Sequence, residues 1–170
     1  LNRDIQAVVA SVTISEPHYS QSMVPFDKEF VAAEPFWKGV QQTVSLTVVS
    51  GTGEPHTMSV TTTISGSVYA EPTITYTAPG STGTTTLSGI LINYQSTGEI
   101  VTWSGGASAL AYGSAVKFDY ENQIILQNTT EIVATGVFSR WEPGTPTLTA
   151  TFSGQAPGGT LDIVYRPRYL

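Results

Sequence analysis

Residues 87–104 read LSGILINYQSTGEIVTWS. In the first run Ile90 and Ile92 fall on alternate positions, the period of a strand with one buried face. The second run, EIVTW, is rich in the β-branched and aromatic residues that suit a pleated surface. Between them, QSTGE supplies a glycine for positive φ and small polar residues that hydrogen-bond their own backbone, so the chain turns there. The stretch reads as strand, turn, strand.

The same pattern recurs on both sides. Strand-like runs are IQAVVASVTI (5–14), TVSLTVV (43–49), MSVTTTI (58–64), TITYTA (73–78), SAVKFDY (114–120), QIILQN (123–128), TLTATFSG (147–154) and TLDIVY (160–165). Turn clusters such as GTGEP, APGSTG, EPGTP and QAPGG punctuate them. No long segment carries a 3.6-residue period, so helical crossovers for a parallel sheet are missing and an antiparallel all-β sandwich is the expected fold. Alternation nominates Val60, Ile64, Ile74, Ile90, Ile92, Ile100, Trp103, Val116, Phe118, Ile125, Phe152, Ile163 and Tyr165 for the core. Trp141, just ahead of the proline-glycine turn, is expected to plug one end of the sandwich.

Composition narrows the function classes. Hydrophobic residues make up 40% and charged residues 12%, too apolar a balance for a disordered chain. A net charge of −6 offers no footprint for a phosphate backbone, so no nucleic-acid binding is expected. Without cysteine there is no disulfide, thiolate metal site or cysteine nucleophile. No apolar run approaches the roughly 18 residues of a membrane-spanning helix, and no membrane partner is expected. A composition break at SGTGEPHT (50–57) separates a charge-bearing N-terminal part, 1–55, from a hydroxyl-rich part, 56–170, in which Lys117 is the one basic residue from Thr57 to Ser139.

Catalytic and metal-binding constellations are not found, and neither enzymatic activity nor a cofactor is expected. His18 and His56 lie far apart without carboxylates at ligand spacing. Asp119 and Glu121 would share one strand face and are the single local carboxylate pair suited to calcium or glycan chemistry, although a solvated turn before NQIIL is the favoured reading. Asn128-Thr129-Thr130 matches a glycosylation sequon, a frequent chance pattern. Trp37 and Trp103 are weak sugar-contact candidates, because an indole face packs on the apolar face of a sugar; core packing or an interface is the favoured role for both.

Three phrases taken in order resemble the distal tail proteins of long-tailed siphophages. FVAAEPFWKG (30–39) is similar to the end of that family's N-terminal domain, and STGEIVTWSGG (96–106) followed by AYGSAVKFDYENQIIL (111–126) to its C-terminal strand pattern. FSRWEPGTPTLTATFSG (138–154) and the terminal IVYRPRYL (163–170) resemble its proline-glycine turn and tyrosine-arginine-rich last strand. The resemblance implies a galectin-like or jelly-roll-like sandwich over 56–170, preceded by a partial ring-type β segment over 1–55. Those residues are fewer than a complete ring domain, so either an upstream portion is missing or the ring domain is reduced.

By the same resemblance the chain is a virion component at the tail tip, made in the bacterial host cytoplasm. It would be a homo-hexamer that links the tail tube to the baseplate hub and receptor-binding proteins. Phe36, Trp37, Arg166 and Arg168 would then face neighbouring subunits. Arg166 and Arg168 are expected to point to one side, and as rim charges they would each contribute about 0 to 1 kcal/mol to stability. A carbohydrate-binding module that attaches a phage or an enzyme to cell-wall polysaccharide is the alternative.

Overall fold

The computed structural model describes residues 7–14, 26–32, 36–49, 55–80, 86–105, 109–154 and 158–170, the first two segments as backbone only. His18 lies outside them. All regular structure among the described residues is strand.

Two sheets face each other. One has six strands in the order β11-β10-β9-β6-β14-β4, formed by β4 (Gln42–Val48), β6 (Thr73–Thr77), β9 (Ala115–Asp119), β10 (Ile124–Gln127), β11 (Thr130–Ile132) and β14 (Gly159–Tyr165). The other has five, β12-β8-β7-β13-β5, formed by β5 (His56–Thr61), β7 (Gly89–Tyr94), β8 (Glu99–Ser104), β12 (Thr135–Gly136) and β13 (Thr147–Ser153). Every ladder is antiparallel, and the chain crosses repeatedly from one sheet to the other. The protein is therefore an all-β antiparallel sandwich.

Alternation does the sorting. On β6, Ile74 and Tyr76 are buried while the flanking threonines are not; on β13, Leu148, Ala150 and Phe152 are buried between threonines. Register then stacks these side chains: Ile74 lies opposite both Phe118 and Ile163, and Ile90 opposite both Phe152 and Trp103. The Tyr76 and Phe152 rings meet across the two layers at 5.2 Å. Burying each such side chain contributes roughly 1.5–3 kcal/mol, which is why alternation dictates which face turns inward. Outer faces are tied by hydroxyls, with Thr57 to Thr151 at 3.2 Å and Thr61 to Thr147 at 3.0 Å.

Ile100 departs from the expected core: it is 39% exposed, because in the run Ile100-Val101-Thr102-Trp103 burial follows the phase of Val101 and Trp103. The sandwich also begins earlier than residue 56. β4 forms the edge of the six-stranded sheet through seven partners on β14, and β3 (Trp37–Lys38) pairs with the last strand, β15 (Arg168–Tyr169). The composition break thus falls inside the sandwich. Ahead of it, β1 (Ala7–Ile14) and β2 (Phe26–Ala32) form a separate two-stranded antiparallel sheet.

Trp141 closes one end. Its ring stacks on Tyr94 at 5.4 Å, at the end of β7, and meets Tyr120 edge-on at 6.0 Å, just past β9, so it touches both layers. Burial raises the hydroxyl pKa of Tyr120, with the Glu99 carboxylate adding to the effect. The indole N–H of Trp141 has no acceptor among the described residues, so its contribution is packing. Trp141→Ala should cost about 3–5 kcal/mol in urea or thermal unfolding, Trp141→Phe markedly less, and Val133→Ser at the exposed Val133 within about 0.5 kcal/mol.

Candidate functional site

Antiparallel register brings the end of β14, the end of β9 and the starts of β4 and β6 to one end of the six-stranded sheet. Tyr165 lies opposite Gln42, Val164 opposite Thr73, and Thr73 opposite Asp119. At this end the chain leaves β14, passes through Arg166 and Pro167 and re-enters a ladder as β15. Pro167 has no N–H to place, and its carbonyl accepts the Gly39 N–H at 2.7 Å. The Arg168 carbonyl accepts the N–H groups of Ser67 at 2.9 Å and Val68 at 3.2 Å. Gly66 permits that approach: at φ +127° a Cβ would sit 2.5 Å from the Arg168 oxygen. The terminal strand is thus held from both sides. Tyr165 adds an anchor, donating its hydroxyl to the Thr63 carbonyl at 2.6 Å.

The side chains form a charge network. Arg168 is only 6% exposed, and its Nη1 lies 2.8 Å from Glu71 Oε2 while Nη2 lies 3.6 Å from Glu121 Oε1. Lys38 Nζ reaches the same Glu121 oxygen at 3.2 Å, and Arg140 Nε lies 3.9 Å from Glu71 Oε1. Tyr69 stands between the two guanidinium groups, 4.4 Å from Arg140 and 5.6 Å from Arg168, with Phe36 against its edge at 6.0 Å. A recess of about 140 Å³ opens here, lined among others by Lys38, Gln41, Thr73, Val164 and Arg166.

Several expectations need correction. Arg168 is not a rim charge facing a neighbour: it is buried and paired within its own chain. Arg166 alone is exposed, because Pro167 ends the strand between them and breaks the alternation that would have put both on one face. Trp103 is fully buried beside Ile90, so it has no face to offer a sugar. Trp37 is half-buried on β3 opposite Tyr169, and Phe36 is half-buried against Tyr69.

Asp119 and Glu121 serve different cations. Asp119 receives Lys117 Nζ at 3.0 Å and the Asn122 N–H at 3.1 Å, capping the turn that leads into β10, whereas Glu121 faces Lys38 and Arg168. Burial is the largest influence on Asp119 and raises its pKa, but the bonds from Lys117 and Asn122 and the lysine charge together outweigh it and hold the carboxyl below its usual range. His56 packs its ring near Phe152 on β5. Asn128 adopts φ +56° in the turn after β10, and its Oδ1 accepts the Ala115 N–H.

Sequence reasoning did not find Glu71 or pair Lys38 and Arg140 with the C-terminus. The visible signal was the scarcity of charge, since charged residues make up only 12% of the chain. No protein family, curated protein or solved structure matches the chain.

Two outcomes test the network. Arg168→Ala leaves Glu71 without its closest cation and should destabilise by about 3–5 kcal/mol, whereas Arg166→Ala should change unfolding by no more than about 0.5 kcal/mol. Because the folded pKa of Asp119 is depressed, its contribution is present above the unfolded carboxylate value near 4 and fades as pH falls through the lower folded value. The stability gap between the native chain and Asp119→Asn should therefore be constant from about pH 7 to 5 and shrink below about pH 4 in pH-resolved urea melts.

Proposed function

We propose that the chain is a structural component of a bacteriophage tail tip, a distal-tail-type protein that links the tail tube to the baseplate and receptor-binding proteins and acts as a ring of identical copies. The observation that carries this reading is the β1–β2 hairpin. Its strands pair only with each other among the described residues, over seven register positions. A two-stranded sheet is marginal by itself, and its outer edges carry backbone donors and acceptors ready for another strand. Such an element suits contacts between subunits.

The resemblance of the phrases at 30–39, 96–126 and 138–170 supports the same reading. So does the β3–β15 ladder, which ties the segment following the hairpin to the end of the sandwich. The carbohydrate-module alternative has lost Trp103 as a contact and retains a half-buried Trp37.

Light scattering on the native chain under assembly conditions should give a mass of about six copies, and tails lacking the protein should be completed by it. Val12→Pro removes one N–H within the hairpin, so it should reduce the assembly while leaving the sandwich's melting transition in place. A native chain that stays monomeric, or tails that form normally without it, would overturn the reading.

A further inference from the structure

We infer that β4, the outermost strand of the six-stranded sheet, is a two-fold interface on which a second copy of this chain docks its own β4, antiparallel, with Ser45 opposite Ser45. The inference does not rest on the tail reading, since β4 and the hairpin are different strands and contacts at both can occur in one closed assembly. Among the described residues four strands end the two sheets: β11 and β4 in one, β12 and β5 in the other. β11 has three residues and carries Glu131, and β12 has two residues including Gly136, so both are short or charged edges of the kind that discourages further pairing. β4 has seven residues, QTVSLTV, without a charge, a proline or a break in its register with β14. In an antiparallel ladder alternate residues turn their N–H and C=O outward, so β4 presents a row of backbone donors and acceptors that no strand among the described residues takes up. Position also favours it. Tyr76 on β6 faces Phe152 on β13; beyond β6 one sheet continues through β14 and β4, whereas beyond β13 the other has only β5. β4 thus projects one strand past β5, and Val44 and Leu46 on its inner face stay half-buried while Ile163 and Leu161 opposite them are fully buried.

The strand's own sequence chooses the occupant. Turned end for end about Ser45, TVSLT becomes TLSVT, so hydroxyl falls on hydroxyl and aliphatic on aliphatic. Two-fold antiparallel pairing sets Thr43 opposite Thr47 on the outer face and Val44 opposite Leu46 on the inner face, with Ser45 at the axis. The outer pairs are then hydroxyl pairs like those that tie β5 to β13, and the inner pairs cover the two half-buried side chains. A slip of one residue would set Val44 against Thr47 and Leu46 against Ser45, so the pattern fixes the register. Charge does not oppose the contact. Asp162 lies opposite Ser45 on β14, and its counterpart in the second copy stands three strand spacings away. That is roughly 14 Å, beyond the screening length of about 8 Å at physiological ionic strength. β5 carries a similar run, TMSVT, but sits one strand behind β4.

The chain has no cysteine, so single-cysteine variants of the full chain report the contact directly. Directly opposite residues of an antiparallel pair have Cα atoms about 4.5–5.5 Å apart, a separation that a disulfide spans. Under mild oxidation Ser45→Cys should form a covalent dimer about tenfold or more faster than Ser59→Cys on β5 or Thr130→Cys on β11. Thr43→Cys should not link to itself, because its two copies stand roughly 14 Å apart, and should link when mixed with Thr47→Cys. Ser45→Lys sets like charges opposite each other and should weaken self-association about fivefold or more in sedimentation, with a thermal melt that matches the native chain. Repeating the sedimentation in Val12→Pro chains removes any contribution of the hairpin. Equal rates for Ser45→Cys and the two controls, self-linking of Thr43→Cys as fast as its mixture with Thr47→Cys, or unchanged sedimentation of Ser45→Lys would overturn the inference. Faster linking of Ser59→Cys than of Ser45→Cys would overturn it too, by moving the seam to β5.

Discussion

A single antiparallel bridge, Ala70 to Trp141, organises the end of the sandwich where the candidate site lies. The Ala70 N–H donates to the Trp141 carbonyl at 2.8 Å and the Trp141 N–H to the Ala70 carbonyl at 3.0 Å, and both side chains are fully buried. Strand alternation then sends their neighbours the other way. Tyr69 and Glu71 on one side meet Arg140 on the other, as the 4.4 Å cation–π contact and the Glu71–Arg140 approach record. The residue that plugs the hydrophobic core therefore also fixes where the carboxylate for Arg168 stands. Core packing and surface electrostatics are coupled through one pair of backbone hydrogen bonds.

The ion pair built on that frame is better understood as a device for position than for stability. Desolvating Arg168 and Glu71 costs energy that their attraction only partly returns, whereas leaving one buried without the other is strongly unfavourable. The consequence is directional. The last strand can sit only where Glu71 waits for it, and Gly66 leaves room for its backbone. Since β15 pairs with β3, the same pairing fixes the chain segment that leads back toward the N-terminal hairpin.

How far this was legible in the sequence depends on the range of the interaction involved. Strands and their inward faces follow from neighbours two residues apart, so TITYT, GILINY and TLTATFS could be read directly, as could the position of Trp141 at a sandwich end. Where two apolar residues adjoin, as at Ile100-Val101, local pattern allows either phase, and the choice falls to the facing strand: Val101 lies opposite the buried Ile92 and Ile100 opposite Asn93. Composition changes near residue 50 while hydrogen bonding does not, since β4 is bound to β14 from the far end of the chain. A continuous strand would put Arg166 and Arg168 on one face, and Pro167 ends that strand between them. Glu71 could not be matched to Arg168 from sequence at all, since only the finished topology brings them together.

The same topology explains why the charge network is conspicuous. On the outer face of the five-stranded sheet, cross-strand contacts are made by neutral groups: threonine pairs on β5 and β13, and the Gln95 amide donating to the Thr149 hydroxyl at 2.8 Å. Such faces give little electrostatic direction to an approaching chain, because hydroxyl dipoles fall off faster with distance than full charges. At the terminal strand, by contrast, Lys38, Arg140 and Arg168 share Glu71 and Glu121 among the described residues, so full charges rather than dipoles meet there.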